Sequence, residues 1–89
     1  MIICAAIKDN ATGAVFGGIR HGNIYEAMHA AHILISYTNV TEGFLDEKNE
    51  FHDRKDALEI AMNCGQLSAS TRQLKREHRE SELYSEDLY

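Results

Sequence analysis

Residues 42–65 read EGFLDEKNEFHDRKDALEIAMNCG, and each local signal in this stretch indicates a β-hairpin followed by a capped helix. Strand-like runs at 42–45 and 50–52 flank a polar loop, which predicts two paired strands. Asp53 then stands where an N-cap residue accepts a free helix N–H, and Gly65 stands where a glycine ends a helix. The stretch therefore predicts strand, turn, strand, cap, helix and stop, in that order.

The N-terminal part of the chain predicts a second hairpin. Residues 2–7 are almost all apolar, which is typical of a strand covered on both faces, and residues 14–20 return as a second strand after a turn that ends at Gly13. Gly17 and Gly18 are poor strand residues, so we expect either a bulge or the close approach of another element at this point.

The segment between the hairpins predicts a helix. Asn23 is the expected N-cap, and the helix is expected to run from Ile24 to about Ser36. Its apolar face comprises Ile24, Ala27, Met28, Ala31 and Ile35. Together with the helix after Asp53, this pattern predicts an α+β fold: a small antiparallel sheet from two hairpins, with two packed helices and a C-terminal arm.

The composition changes after Gly65, which divides the chain into an α+β core (1–65) and a charged C-terminal arm (66–89). A helix in the arm would bury little surface, because Leu74 is the only apolar residue among residues 70–82. A domain of 89 residues also has a marginal core when it stands alone. We therefore expect the arm to contact a neighbouring subunit of a homo-oligomer.

The net charge, the lengths of the apolar runs and the spacing of the cysteines exclude several classes of function. A formal net charge of −5 at pH 7 provides no basic field for a nucleic acid polymer, and the longest apolar run is too short to cross a membrane. Cys4 and Cys64 lie in apolar stretches, lack the spacing of a metal site and follow no secretory signal, which favours buried thiols in a reducing compartment over a disulfide. Because the histidines and carboxylates also match no metal-binding pattern, we expect neither a metal nor a cofactor.

The sequence also lacks a catalytic pattern, so we expect that the protein is not an enzyme. A thiol nucleophile formed by Cys64 with His52 is conceivable, but the C-terminal end of a helix disfavours a thiolate. The glycines form neither a dinucleotide-binding loop nor a phosphate-binding loop followed by lysine.

Binding of a small anion is the more favourable interpretation. Arg20, Arg54 and Arg72 each carry a guanidinium that can hold a phosphate, and Arg54 lies at a helix N-terminus that also favours anions. Phe44 or Phe51 would offer an aromatic face to a base. The alternatives stay open, since strand phenylalanines usually lie in the core and surface arginines are usually solvated.

The order of short motifs in the chain resembles that of the phage Thoeris anti-defence protein 1 family. The motifs are Ile-Arg-His ending at His21, Glu-Gly-Phe ending at Phe44, Phe-His-Asp-Arg-Lys-Asp-Ala ending at Ala57, Ile-Ala ending at Ala61, Cys-Gly-Gln ending at Gln66, and Leu-Tyr-Ser-Glu-Asp-Leu-Tyr ending at Tyr89. The resemblance implies a non-enzymatic protein in the cytoplasm of the infected bacterial host. It would bind the cyclic ADP-ribose isomers made by bacterial TIR proteins and hold them intact, which silences the defence effector.

The resemblance also implies residue roles. Phe44 matches the adenine-stacking aromatic, Asp53 and Arg54 match the junction between hairpin and helix, Arg20 matches an N-terminal arginine, and Arg72 matches a later one. The family often has asparagine where this chain has Asp53, whose carboxylate would repel a pyrophosphate unless it faces a ribose hydroxyl. Some members also hold cyclic oligonucleotides, and the expected assembly is a dimer or a hexamer.

Two other classes of function stay open. A protein-interaction module would inhibit a host protein directly through its acidic surface and its arm. A small hydrolase would destroy the signal instead of holding it.

Overall fold

A computed structural model of the chain describes residues 1–33, 36 and 38–88. Its centre is a four-stranded antiparallel sheet with the strand order β2-β1-β3-β4. The strands are β1 (Ile2–Asp9), β2 (Val15–Gly18), β3 (Val40–Asp46) and β4 (Phe51–Asp53). Each hairpin pairs its own strands, and β1 joins the hairpins by pairing with β3 in a register that sets Ala5 opposite Phe44. The predicted small antiparallel sheet from two hairpins is confirmed.

The glycines of the first hairpin permit a turn and the close approach of a helix, but they do not form a bulge. Gly13 has φ +79°, so it supplies the left-handed residue of the β1–β2 turn. Gly18 permits the close approach of a helix, because a Cβ at this position would lie 2.8 Å from Cγ1 of Ile24. The irregular register lies in β1, between Ile2 and Cys4, rather than at the glycines of β2.

Three helices lie in the described chain: α1 (His21–Ala30), α2 (Arg54–Asn63) and α3 (Ala69–Glu77), with a 3₁₀ turn at Ser85–Asp87. The expected cap of α2 is confirmed, since Oδ1 of Asp53 accepts a hydrogen bond of 2.8 Å from the backbone N–H of Asp56. Gly65 follows the C-cap with φ +73°, as expected for a glycine that ends a helix.

The expected boundaries of α1 are wrong. The helix begins at His21 with Arg20 as its N-cap, and no side chain caps it. The start is set by a tertiary contact, because the buried ring of His21 bonds to the backbone of β3. The helix ends at Ala30, and His32 adopts a left-handed φ of +57°. Ile35, which was expected on the apolar face, lies outside the described residues.

One hydrophobic core lies between the sheet and the helices. Phe44, Ile7 and Leu83 are the largest side chains that are fully buried in the described chain. Leu83 and Leu67 belong to the segment after Gly65, so this segment packs onto the core of its own chain. Burial of a side chain of this size contributes about 1.5–3 kcal/mol to stability. The expected contact of the arm with a neighbouring subunit stays a prediction.

Residues 80–88, called here the C-terminal segment, are held by one lysine of α3. The side chain of Lys75 is 3% exposed, and its Nζ lies 3.0 Å from Oε2 of Glu80 and 2.8 Å from Oδ2 of Asp87. The same ammonium donates a hydrogen bond of 2.9 Å to the carbonyl of Glu82. Burial acts to lower the pKa of Lys75, but its bonds to Asp87 and Glu80 outweigh burial and raise the pKa above its ordinary value. Lys75 therefore stays charged and ties α3 to the C-terminal segment.

Of the helices that the structure describes, none has the length and apolar character needed to cross a membrane. Cys4 and Cys64 are both free thiols. Their expected burial is wrong, since Cys64 is exposed at the end of α2 and Cys4 is only half-buried.

Candidate functional site

Arg54 lies at the centre of a half-buried polar cluster where α1, α2, β3 and the C-terminal segment meet. Its position is fixed because the Asp53 cap starts α2 at residue 54. Nη2 of Arg54 lies 2.8 Å from Oε1 of Glu42, and Nη1 donates to the carbonyl of Leu83 at 2.9 Å. The backbone N–H of Leu83 donates in return to the carbonyl of Arg54, also at 2.9 Å. Arg54 thus binds the C-terminal segment through both its side chain and its backbone.

His21 takes part in this cluster as a neutral ring. Its Nε2 lies 2.8 Å from the carbonyl oxygen of Gly43, and a carbonyl can only accept, so Nε2 carries the proton. Nδ1 is then the acceptor that faces Nη2 of Arg54 at 3.3 Å. Burial lowers the pKa of His21, and the nearby guanidinium of Arg54 lowers it further. The hydrogen bonds therefore assign one tautomer, and the ring is uncharged at pH 7.

Glu42 supplies the negative charge that balances Arg54. Its Oε2 accepts a hydrogen bond of 2.9 Å from the hydroxyl of Tyr25 on α1. Burial acts to raise the pKa of Glu42, but the hydrogen bonds from Arg54 and Tyr25 outweigh burial and hold the pKa below its ordinary value. The ionised carboxylate therefore neutralises Arg54 and joins β3 to both helices.

A surface pocket of about 340 Å³ opens beside this cluster. Its walls come from the start of α1, the start of α2 and the C-terminal segment. The lining residues are Arg20, His21, Gly22, Asn23, Glu26, Arg54, Tyr84, Ser85 and Glu86. The volume lies at the lower end of the range of about 300–1,000 Å³ that is usual for small-molecule sites.

The pocket contains both an exposed arginine, which can contact an anion, and two carboxylates, which cannot. Nη1 of Arg20 is 3.8 Å from Oε1 of Glu86, which exceeds a hydrogen-bond distance, and the Arg20 side chain is 42% exposed. Arg20 therefore keeps donors for a ligand, and the uncapped first turn of α1 adds N–H groups that favour an anion. The carboxylates of Glu26 and Glu86 can instead accept hydrogen bonds from hydroxyl groups.

The structure brings together two of the five residues expected to bind a ligand. Arg20 and Arg54 line the same pocket, although α1, β3 and β4 lie between them in the sequence. Asp53 does not line it, because its carboxylate is exposed and caps α2. Arg72 lies on α3 in a different depression, which it forms with Ala69, Gln73 and Arg76.

The expected stacking of a base on Phe44 is wrong for this structure. Phe44 is 0% exposed and belongs to the core, so neither face of its ring is open to a ligand. The edge of the His21 ring packs against it, with 5.2 Å between ring centroids and an angle of 85° between the planes. The guanidinium carbon of Arg54 lies 6.0 Å from the centre of the ring. Phe44 therefore supports the site from beneath.

Sequence reasoning missed the residues that the C-terminal segment contributes. The ring of Tyr84 lies 5.0 Å from the guanidinium carbon of Arg54 and 4.9 Å from Nζ of Lys75, distances that suit cation–π contacts. Ser85 and Glu86 follow it in the pocket wall. The arm is expected from the sequence to contact a neighbouring subunit, and no local signal identifies Arg54 of the same chain as its contact.

The chemistry of the pocket suits binding. Ser85 and His21 both line the pocket, and a histidine is the type of residue that serves as a general base for a serine. Both nitrogens of His21 are engaged, with Gly43 and with Arg54, so the ring has no free nitrogen to accept a proton from Ser85. In the described pocket, His21 is therefore not available as a base for Ser85, and the lining presents hydrogen-bond donors and acceptors.

Within the described residues, one group of potential metal ligands lies away from the pocket, on the β3–β4 hairpin. The ligand atoms of Asp46, Glu50 and His52 lie within 4.8 Å of one another. Oδ2 of Asp46 contacts Nε2 of His52 at 2.8 Å, and Oδ1 accepts from the backbone N–H groups of Lys48 and Glu50. The bond from His52 and these backbone bonds lower the pKa of Asp46 to about 2. These contacts satisfy the carboxylate within the hairpin itself.

The sheet, the packed helices and this pocket define a small α+β domain with a pocket lined by two arginines. A family model described as phage T4 y16D protein matches residues 1–89, so the chain belongs to that family. Neither a curated protein nor a solved structure matches the chain.

Proposed function

We propose that the protein is a phage anti-defence protein that binds a small cyclic nucleotide signal and sequesters it without cleaving it. The ligand class is that of the cyclic ADP-ribose isomers made by TIR proteins in Thoeris immunity, and the place of action is the cytoplasm of the infected host. The observation that carries the proposal is the presence of Arg20 and Arg54 in one pocket of ligand size. Membership in a phage protein family is compatible with this role.

The two arginines have different tasks in the proposal. Arg54 is already neutralised by Glu42 and fixed by Leu83, so it forms a rigid wall of the pocket. In the described structure the Arg20 guanidinium has only an ion pair of 3.8 Å with Glu86, and its planar shape suits bidentate contact with a phosphate. Arg20 is therefore the proposed primary contact of the pyrophosphate.

The rest of the ligand would contact the C-terminal segment. Tyr84 replaces Phe44 as the proposed aromatic contact, because its ring lines the pocket and the residue is 39% exposed. Glu26 and Glu86 would accept hydrogen bonds from ribose hydroxyls. Asp53 and Arg72 have no contact with the ligand in this arrangement, since neither lines the pocket.

A retention assay tests the proposal. The protein is incubated with cyclic ADP-ribose isomers, the free ligand is measured after ultrafiltration, and the protein is then denatured to recover the bound ligand for mass spectrometry. Depletion followed by recovery of the intact ligand is the expected result. Recovery of a degraded ligand would replace the proposal with a hydrolase.

Matched charge variants locate the binding site. Arg20→Ala should reduce ligand retention at least tenfold, since it removes a charge-assisted phosphate contact. Lys55→Ala removes an exposed positive charge next to Arg54 without altering the pocket lining, and it should retain the ligand as the natural protein does. Equal losses in the two variants would indicate a general charge effect, and the assignment to this pocket would then be wrong.

The alternative function is direct inhibition of a host protein. The observation that favours it is a groove lined by apolar side chains of β2 and α1, since exposed apolar surfaces often mark protein contacts. No depletion of any cyclic ADP-ribose isomer in the retention assay would support this alternative.

A further inference from the structure

β2 is an edge strand with an open side. It pairs with β1 along one side, and no other strand in the described residues pairs with it. Residues of an antiparallel strand direct their N–H and C=O groups alternately to the two sides, so part of the β2 backbone points away from β1. Such an edge is a template for a further extended strand.

An apolar groove of about 430 Å³ runs along this edge, between β2 and α1. Its lining residues are Val15, Phe16, Gly17, Ile24, Ala27, Met28, Ala31 and Ile33, and none of them is charged or polar. Val15 is 38% exposed and Ile33 is 39% exposed, while Ile19, which directly follows the strand, is 65% exposed. Large apolar side chains are therefore exposed together at a sheet edge where backbone pairing is also available.

We propose that β2 of a second copy of this chain occupies this edge. The two β2 strands would pair in antiparallel orientation and join two four-stranded sheets into one continuous sheet of eight strands. The two α1 helices would then lie side by side on the same face, where they close the two grooves against each other.

The chemistry of the edge specifies this occupant. A strand that fits must be extended, uncharged and apolar, and residues 14–19 of the chain itself, which read AVFGGI, meet these requirements. Two identical strands in antiparallel pairing are related by a twofold axis, so the contact closes as a dimer without leaving a further open edge at β2.

The distribution of charge on the chain also favours the groove as the contact between two copies. Each copy carries a net charge of −5, which opposes association in general. The groove contributes no carboxylate, so two copies approach each other here without bringing acidic groups of its lining together. A domain of this size also gains stability from burying more apolar surface.

The inference does not rest on the proposed ligand, since the groove and the arginine pocket share no lining residue. It also does not require the segment after Gly65 to leave its own chain, where Leu67 is 5% exposed and Leu83 is fully buried.

Multi-angle light scattering and sedimentation of the full chain test the inference. The expected mass is about twice the 10.0 kDa of one chain, with a shift towards monomer on dilution. Val15→Lys places a charge on the edge strand, and Ala27→Lys places a charge on the α1 side of the groove; both residues are exposed. Each substitution should raise the dimer dissociation constant at least tenfold. Ala30→Lys is the matched control, because Ala30 is also exposed on α1 but does not line the groove.

Hydrogen exchange supplies a second measurement that does not depend on a variant. Amide exchange in β2 should slow as the protein concentration rises, whereas β4, the other edge strand, should exchange at a constant rate. A monomer at all accessible concentrations would overturn the inference and leave the groove to a different protein partner. An oligomer that both lysine variants leave unchanged, with no concentration effect on β2, would overturn it as well.

Discussion

The guanidinium of Arg54 and the carboxylate of Glu42 meet at 2.8 Å although one begins a helix and the other lies in a strand. The pair is half-buried, with 18% of the Arg54 side chain and 36% of the Glu42 side chain exposed. Tyr25 and His21 extend it to α1, and Leu83 extends it to the C-terminal segment. One ion pair therefore links all the elements that form the pocket.

Glu42→Gln tests how much this pair contributes to the fold. The amide keeps a hydrogen-bond acceptor but loses the charge, and the partly exposed site screens the interaction. We expect the free energy of unfolding to fall by about 1 kcal/mol in urea denaturation. Glu59→Gln, on the exposed face of α2, is the control and should change stability by less than about 0.5 kcal/mol. Equal effects of the two substitutions would show that the Arg54 contact contributes nothing specific.

The lowered pKa of His21 predicts a loss of stability in mild acid. Below the ordinary pKa of 6.5, the unfolded chain takes up a proton that the folded protein does not bind. The free energy of unfolding should therefore fall as the pH drops from 6.5 towards the lowered pKa of the folded state. Glu42 adds a further loss below pH 4.5, because its pKa is also lowered in the fold.

His21→Phe isolates the contribution of this histidine. The variant should be less stable at pH 7 by about 1–3 kcal/mol, because it leaves the carbonyl of Gly43 without its partner. Its stability should change less between pH 6.5 and pH 5 than that of the natural protein. His29→Phe alters an exposed histidine of the same helix and should keep the natural pH profile. If the stability of the His21 variant depends on pH as that of the natural protein does, other groups cause the loss of stability in acid.

Lys75→Met tests the attachment of the C-terminal segment. Methionine keeps an unbranched side chain but leaves the carboxylates of Glu80 and Asp87 without their ammonium. We expect a loss of about 2 kcal/mol, less than for a fully buried pair because both partners are partly exposed. Hydrogen exchange should accelerate at residues 83–88. Lys55→Met should leave exchange in this segment unchanged, and protection that survives in the Lys75 variant would contradict the assigned role.

Phe44→Ala distinguishes a core residue from a ligand platform. Truncation of a fully buried phenylalanine typically costs about 3–5 kcal/mol, so thermal or urea unfolding should show a large loss of stability. Phe51→Ala is the matched comparison, since Phe51 is only half-buried, and its loss should be smaller. A cost below about 1 kcal/mol at residue 44 would mean that the ring is not packed as described.

Local signals predicted the parts of the fold that depend on neighbouring residues. Asp53 and Gly65 act within one helical turn of their position, so their roles as cap and stop follow from residue type and spacing. The start of α1 could not be predicted in this way, because it depends on a bond from His21 to Gly43, 22 residues away. The cap at Asn23 was a reasonable local expectation that a tertiary contact overrides.

The residues of the site also divide into features that residue type predicts and features that depend on tertiary contacts. The arginines at positions 20 and 54 are chemically suited to anions by residue type, and their placement in one pocket depends on the strand order. A strand phenylalanine is equally compatible with either face of a sheet, so the burial of Phe44 required the position of the helices. The contribution of Tyr84 depends on a backbone bond between Leu83 and Arg54 that no sequence pattern encodes.

The C-terminal segment is bound by Lys75, by Arg54 and by the burial of Leu83 in the core, so local opening of this segment must break all three contacts together. The pocket wall formed by Tyr84 is complete only while the segment is docked. The affinity measured for any ligand of the pocket is then the intrinsic affinity multiplied by the docked fraction. A ligand that contacts the wall raises this fraction, and its slow release would follow from the lifetime of the closed state.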